Sequence, residues 1–187
     1  MEEHVILVDN SDNEYGAMEK LAAHRNGGIC HRAFSIFVFN DAGDTLIQRR
    51  ADGKYHSAGL WSNTVCGHPR PGETALQAAH RRLGEEMGFD CRLHEQFELL
   101  YRTRLDNGMV EHEYDHIIFG DFDGTPLMNP DEVQDYQWVS PSLLRREMQN
   151  NPKRYTPWLH LMIDAAIDHR LPAHDIRTPC RKEGVSP

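Results

Sequence analysis

The chain has 187 residues, 39% hydrophobic and 26% charged, with a formal net charge of −9. That length suits one domain with a core of its own, and that composition reads as a globular protein that dissolves in water. The acidic balance argues against a general affinity for DNA, RNA or an anionic membrane, which needs clustered Lys and Arg, but leaves room for a small phosphorylated ligand held by a few local cations.

Residues 1–32 read as a lead-in: an apolar stretch at 5–8, a turn-rich 9–13, then polar sequence carrying Glu19, Lys20 and His24. Residues 33–39 and 45–49 predict a hairpin across Asn40-Asp41-Ala42-Gly43-Asp44. Residues 51–72, with six Gly and Pro, predict an irregular segment. A helix follows. Thr74 caps it, Gln77 completes a capping box, Leu76, Ala79, Leu83 and Met87 share one face, and Gly88 supplies a left-handed stop. Two long β-runs, 97–105 and 109–122, meet at Asp106-Asn107-Gly108. Residues 132–139 suggest another strand. Ser140-Pro141 and Thr156-Pro157 each predict an N-cap with Pro in the first helical position, opening helices near 141–150 and 157–170. From Pro172 the chain reads as a loose tail. The order predicts an α+β fold: one domain over 1–170 built on a mixed sheet sandwiched by helices, with a flexible 171–187.

No apolar run approaches the roughly 20 residues of a membrane span. The start, Met1-Glu2-Glu3-His4, lacks the basic and apolar segments of a signal peptide. Cys30, Cys66, Cys91 and Cys180 are scattered and form no Cys-x-x-Cys pair, so they read as reduced thiols in a cytoplasmic protein.

Chemistry concentrates in three places. The first runs from Gly67 through Glu73 to Arg81-Arg82-Leu83-Gly84-Glu85-Glu86-Met87-Gly88-Phe89. At 100° per residue Glu86 lies about 60° from Leu83, which puts it at the edge of the apolar stripe, where a carboxylate meets a metal without full burial. Arg82 sits one turn earlier on that edge, placed to pair with Glu86 or with a phosphate oxygen. The second is Trp61-Ser62-Asn63-Thr64-Val65-Cys66-Gly67-His68-Pro69. Alone, Cys66 reads as a small buried hydrophobe and His68 as a structural histidine. The third is Val110-Glu111-His112-Glu113-Tyr114-Asp115. On a strand Glu111 and Glu113 share a face about 6.6 Å apart and repel unless a cation or a shared proton joins them, so they suit a metal site as well as an exposed strand face. His24 and His31 flank the start of the first long strand.

The spacing over residues 67–89 resembles the Nudix box, with Arg82 standing where the box has Glu. Replacing a metal-binding carboxylate with a cation weakens the case for Nudix hydrolysis. Together with the segments at 63–69 and 110–113, the chain from about residue 4 to 158 strongly resembles type 1 isopentenyl diphosphate isomerases, in which Cys ahead of the box and Arg within it are family traits. The resemblance implies one divalent metal, Mn²⁺, Mg²⁺ or Zn²⁺, at His24, His31, His68, Glu111 and Glu113. It implies a second ion, Mg²⁺, at Glu86, bridging the substrate's diphosphate. Lys20, Arg50, Lys54 and Arg82 would contact that diphosphate. Cys66 and Glu113 would transfer protons, with Tyr101 near Glu113 and Trp158 against the hydrocarbon. The implied substrate is a prenyl diphosphate; the oligomeric state, monomer or weak dimer, stays open. Rival readings are a Nudix hydrolase of a nucleoside diphosphate derivative, a binding module on the same fold, and a thiol hydrolase using Cys66. The hydrolase leaves Cys66 and the histidines without a role.

Overall fold

The computed structural model describes residues 3–25 and 27–170; the expected tail lies outside the described residues. The lead-in, for which no elements are assigned from the sequence, is structured. β1 (His4–Val8) and β2 (Glu14–Glu19) form an antiparallel hairpin. The Asp9 carboxylate accepts from the N–H groups of Ser11 at 2.8 Å and Asn13 at 3.0 Å, which closes the turn. β2 is largely exposed or half-buried and lacks the apolar alternation that would reveal it. α1 (Lys20–His24) is five residues long, too short for a period, and is started by Glu19, whose carboxylate accepts from Leu21 and Ala22 N–H.

β3 (His31–Phe39) is the hub of a mixed sheet. It pairs antiparallel with β1, β4 (Thr45–Arg50) and β6 (Val65–Gly67), and parallel with β8 (Val110–Asp121). β7 (Leu93–Arg104) lines the far side of β8, while β5 (Trp61–Ser62) and β9 (Val133–Val139) pair with β4. The segment expected to be irregular therefore contains two short strands. Side chains hold them. Asn63 Nδ2 donates to the carbonyls of Ile36 and Val65, and Thr64 Oγ1 donates to Leu46 O at 2.6 Å while accepting from Val38 N–H.

Helices cover both sheet faces. α2 (Ala75–Met87) has the expected capping box: Thr74 Oγ1 accepts from Gln77 N–H at 3.1 Å and Gln77 Oε1 accepts from Thr74 N–H at 2.9 Å. It ends at Gly88 with φ 70°, where any side chain would strike the Leu127 backbone. Ala78, Ala79, Leu83 and Met87 pack on Phe34, Ile36, Val38 and Ile118. The alternate positions Phe37, Phe39, Ile117 and Phe119 face α3 (Pro141–Asn150) and α4 (Pro157–Arg170), through Leu144, Trp158, Leu159 and Met162. Ser140 sits at the start of α3, but its hydroxyl makes no capping hydrogen bond.

Candidate active site

The five residues expected at the first metal, His24, His31, His68, Glu111 and Glu113, converge at one end of β3. His31 opens that strand and lies in register with Glu113 on β8, which lies in register with Tyr101 on β7. One rung across three strands thus carries all three groups. His24 reaches in from α1, and His68 from just past β6. One ligand atom from each of His24, His31, His68 and Glu113 lies within 4.8 Å of the others. His68 Nε2 is 2.9 Å from Glu113 Oε1, and His24 Nε2 is 2.9 Å from Glu111 Oε2.

The hydrogen bonds around this cluster decide where the protons sit. His24 Nδ1 is 2.7 Å from Lys20 O, and His31 Nδ1 is 2.8 Å from Ile29 O. A carbonyl only accepts, so each Nδ1 carries a hydrogen, and in the neutral ring each Nε2 turns a lone pair inward. His24 Nε2 and Glu111 Oε2 are both buried and lack a hydrogen bond of good geometry. Two facing acceptors need a cation between them, either a proton or a metal ion. Without metal the electrostatics follow that logic. Burial works against a charged His24, but Glu111 outweighs it and raises the pKa. His68 is pushed down to about 3, chiefly by burial. Burial works against an ionised Glu113, yet His31 and His68 hold it well below the usual carboxylate range. Burial and then the charge of Glu113 raise Glu111. Imidazoles beside carboxylates, with the outer nitrogens of His24 and His31 tied to carbonyls, make a donor set that fits a divalent metal.

A cavity of about 830 Å³ opens beside the cluster. Lys20, Arg50, Lys54, Cys66, Arg82 and Trp158 line it, together with Tyr101, Glu111 and Glu113. Cys66 lies opposite Ser35 on β3, four positions from His31, so the thiol and Glu113 rise from the same sheet face. Burial pushes the thiol up to about 12, so it carries its proton. Tyr101 donates its phenolic hydrogen to Glu113 Oε2. Trp158 is buried and donates from Nε1 to Ser62 Oγ at 3.0 Å, with the Arg50 guanidinium over its ring at 5.2 Å.

Glu86 departs from its expected setting. It is 2% exposed rather than at a half-open edge, because the chain after β8 crosses the end of α2: Asn129 N–H donates to Glu86 O at 2.8 Å and Leu127 N–H to Met87 O. Gln48 Nε2 donates to its carboxylate at 2.9 Å, and Arg82 pairs with it one helical turn back, as expected. It stands outside the histidine cluster. Two further residues of this region are assigned no role from the sequence. His56 puts Nε2 3.4 Å from Glu111 Oε1 and its ring edge against Trp158 at 5.6 Å. Asp115 is fully buried and accepts from Ser35 Oγ at 2.8 Å. His56 sits in a turn-rich segment with no periodicity. Asp115, two residues past Glu113, was detectable from alternation alone.

Among the described residues, no helix is long and apolar enough to cross a membrane. The NUDIX domain family model matches residues 30–159. The crystal structure of DR0079 from Deinococcus radiodurans superposes with a TM-score of 0.74 at 19% identity, covering 87% of this chain and 98% of that one, a likeness of fold. The isopentenyl-diphosphate Delta-isomerase 2 of Aromatoleum aromaticum is 51% identical over 91% of this chain and 89% of its own length. The isopentenyl-diphosphate Delta-isomerase of Burkholderia multivorans is also 51% identical, over 89% of this chain and 94% of its own. With that identity along nearly its whole length, and with a thiol, a phenol-bound carboxylate and a histidine cluster gathered in a Nudix fold, the chain belongs to the type 1 isopentenyl diphosphate isomerases of the Nudix superfamily.

Proposed function

We propose that this chain interconverts isopentenyl and dimethylallyl diphosphate in the cytoplasm, with Cys66 and Glu113 as its proton-transfer pair. One observation carries the reading: a protonated thiol and an ionised, phenol-bound carboxylate face one cavity walled by Trp158 and supplied with cations.

An isolated alkene is a very weak base. Moving its double bond requires a proton delivered to one carbon and another removed from a neighbour, with a tertiary carbocation between. Cys66 holds a proton on Sγ, and the ionised carboxylate of Glu113, with Oε1 beside His68 and Oε2 accepting from Tyr101, keeps lone pairs to take one. When the thiol gives and the carboxylate takes, the pair is left as thiolate and carboxylic acid, which is the starting state for the reverse direction. Proton exchange with water resets it. Tyr101 orients Glu113 through Oε2. The indole of Trp158 offers a π-face worth ~2 kcal/mol to a desolvated cation. The aromatic rings of Tyr101 and Trp158 line the cavity with Cys66 and keep water from trapping the cation as an alcohol.

A divalent ion at His24, His31, His68, Glu111 and Glu113 would supply the fixed positive charge that lets two adjacent carboxylates stay ionised, and Mn²⁺, Mg²⁺ and Zn²⁺ all accept this ligand set. Glu86 would hold Mg²⁺ against the substrate's diphosphate. Lys20, Arg50, Lys54 and Arg82 would anchor that group, and binding energy so far from the reacting carbons serves orientation. Incubation with isopentenyl diphosphate and divalent metal in heavy water tests the proposal. Dimethylallyl diphosphate carrying deuterium is expected; phosphate release without isomerisation would instead indicate a hydrolase.

A further inference from the structure

The cations assigned to the diphosphate are already in use. Lys54 Nζ donates to Glu132 Oε2, and Arg82 Nη2 lies 3.2 Å from Glu132 Oε1. One carboxylate therefore spans an ammonium and a guanidinium, the two-oxygen grip that a phosphate would make on the same pair. The backbone of Glu132 is pinned. Its carbonyl accepts from Ala51 N–H at 3.0 Å, and its N–H donates to Asn129 O at 3.0 Å. Only the side chain is free to swing away. Burial works against its charge, but Lys54 and Arg82 together hold it below the usual carboxylate range, so it is ionised at neutral pH. Glu86 adds a second negative group behind Arg82.

An anion entering this corner meets a like charge at contact range. At about 4 Å and an effective dielectric between about 80 and about 20, that repulsion weakens binding by about five- to a thousandfold. A divalent cation carried by the anion cancels it. We infer that Glu132 is a specificity-determining residue: it turns away phosphate, sulfate and metal-free diphosphate, and admits a diphosphate that arrives chelated to a divalent cation. Discrimination comes from the repulsive element, since Lys54 and Arg82 alone would take any of these anions. The inference rests on reading this cavity as a prenyl diphosphate site.

The test is calorimetric titration of the full chain with inorganic diphosphate, in metal-free buffer and in excess Mg²⁺. Wild type is expected to bind the Mg²⁺ form far more tightly. Glu132→Gln should bind metal-free diphosphate about tenfold more tightly than wild type, narrowing the Mg²⁺ preference. Glu132→Asp, which keeps the charge, should retain that preference. A Glu132→Gln protein that binds metal-free diphosphate no better than wild type overturns the inference, and Glu132 is then only a support for Lys54 and Arg82. Isomerisation by the same wild-type sample is scored separately: it can stand while this inference falls. Absence of diphosphate binding in every protein overturns the cavity assignment together with the inference.

Discussion

Nε2 of His31 lies 3.2 Å from Nε2 of His68, and the other nitrogen of His31 is committed to the carbonyl of Ile29. His31 thus turns an Nε2 lone pair toward His68 and the Glu113 carboxylate, and a cation would hold these groups together. Divalent metal is therefore expected to stabilise the fold as well as serve the chemistry. At a free concentration one hundred times its Kd the gain is about 2.7 kcal/mol. Thermal melts should show Tm falling on EDTA treatment and recovering with Mn²⁺ or Zn²⁺, and His68→Ala should lose the response. A melting temperature unchanged by verified metal removal contradicts the assignment of the cluster.

Removing either end of the proton-transfer pair should cost about 10²–10⁴-fold in kcat. Cys66→Ala and Glu113→Gln are the variants to assay, with circular dichroism to establish that both fold. Wild-type-like turnover in either would remove that residue from the proposed mechanism.

Tyr101 contributes one charge-assisted hydrogen bond to Glu113, from the position directly across the ladder. Tyr101→Phe keeps the ring and deletes the donor. A loss of 1.5–3 kcal/mol corresponds to about 10–100-fold in kcat/KM, with metal binding retained. If kcat/KM stays within twofold of wild type, the phenol is only packing.

Two buried histidines predict how the metal-free protein responds to acid. Burial pushes His56 and His68 down to about 3, whereas the unfolded chain protonates each near its ordinary 6.5. Below pH 6.5 the unfolded state binds more protons at these two positions, so each contributes stability that is present above that value and lost as pH falls toward 3. The slope from each approaches about 1.4 kcal/mol per pH unit. His24 is shifted the other way, burial being outweighed by Glu111, and Glu111 and Asp115 are raised chiefly by burial; these groups hold protons in the fold that the unfolded chain has given up, and so oppose the decline. Urea unfolding of EDTA-treated protein between pH 6.5 and 5 should show wild type losing stability more steeply than His56→Gln, by up to about 1.4 kcal/mol per pH unit. Parallel profiles in the two proteins would mean that the His56 ring is already charged in the fold.

Thr74→Ala provides a control that separates stability from chemistry. It deletes the bond from Gln77 N–H to the Thr74 hydroxyl and should cost about 1 kcal/mol in chemical denaturation, with kcat unchanged, because Thr74 lies outside the cavity lining.

What could be read in the sequence divides by the distance over which the determining contacts act. The bounds of α2 were legible because Thr74, Gln77 and Gly88 act within a turn of the helix. β5 and β6 were not, because Asn63 and Thr64 tie them to Ile36, Val38 and Leu46, which lie far along the chain. The angle from Leu83 placed Glu86 at the edge of a stripe correctly for an isolated helix, but a helical wheel has no knowledge of the segment at 127–133 that covers it. The histidine set was legible only through the family resemblance, since His24, His31 and His68 carry no mutual spacing rule. Glu132 had no signal at all: its partner Lys54 stands 78 positions away.

The pairing of β8 with β3 has an evolutionary cost. The odd-numbered side chains of β8 serve two masters: Glu111 and Glu113 face the cavity, while Ile117 and Phe119 fill the core behind it. Both jobs depend on a single phase of the zigzag, so inserting one residue into this stretch would invert at least one of them. Catalysis here cannot be drifted away from folding along this strand, and a redesign of the reaction must begin in the loops.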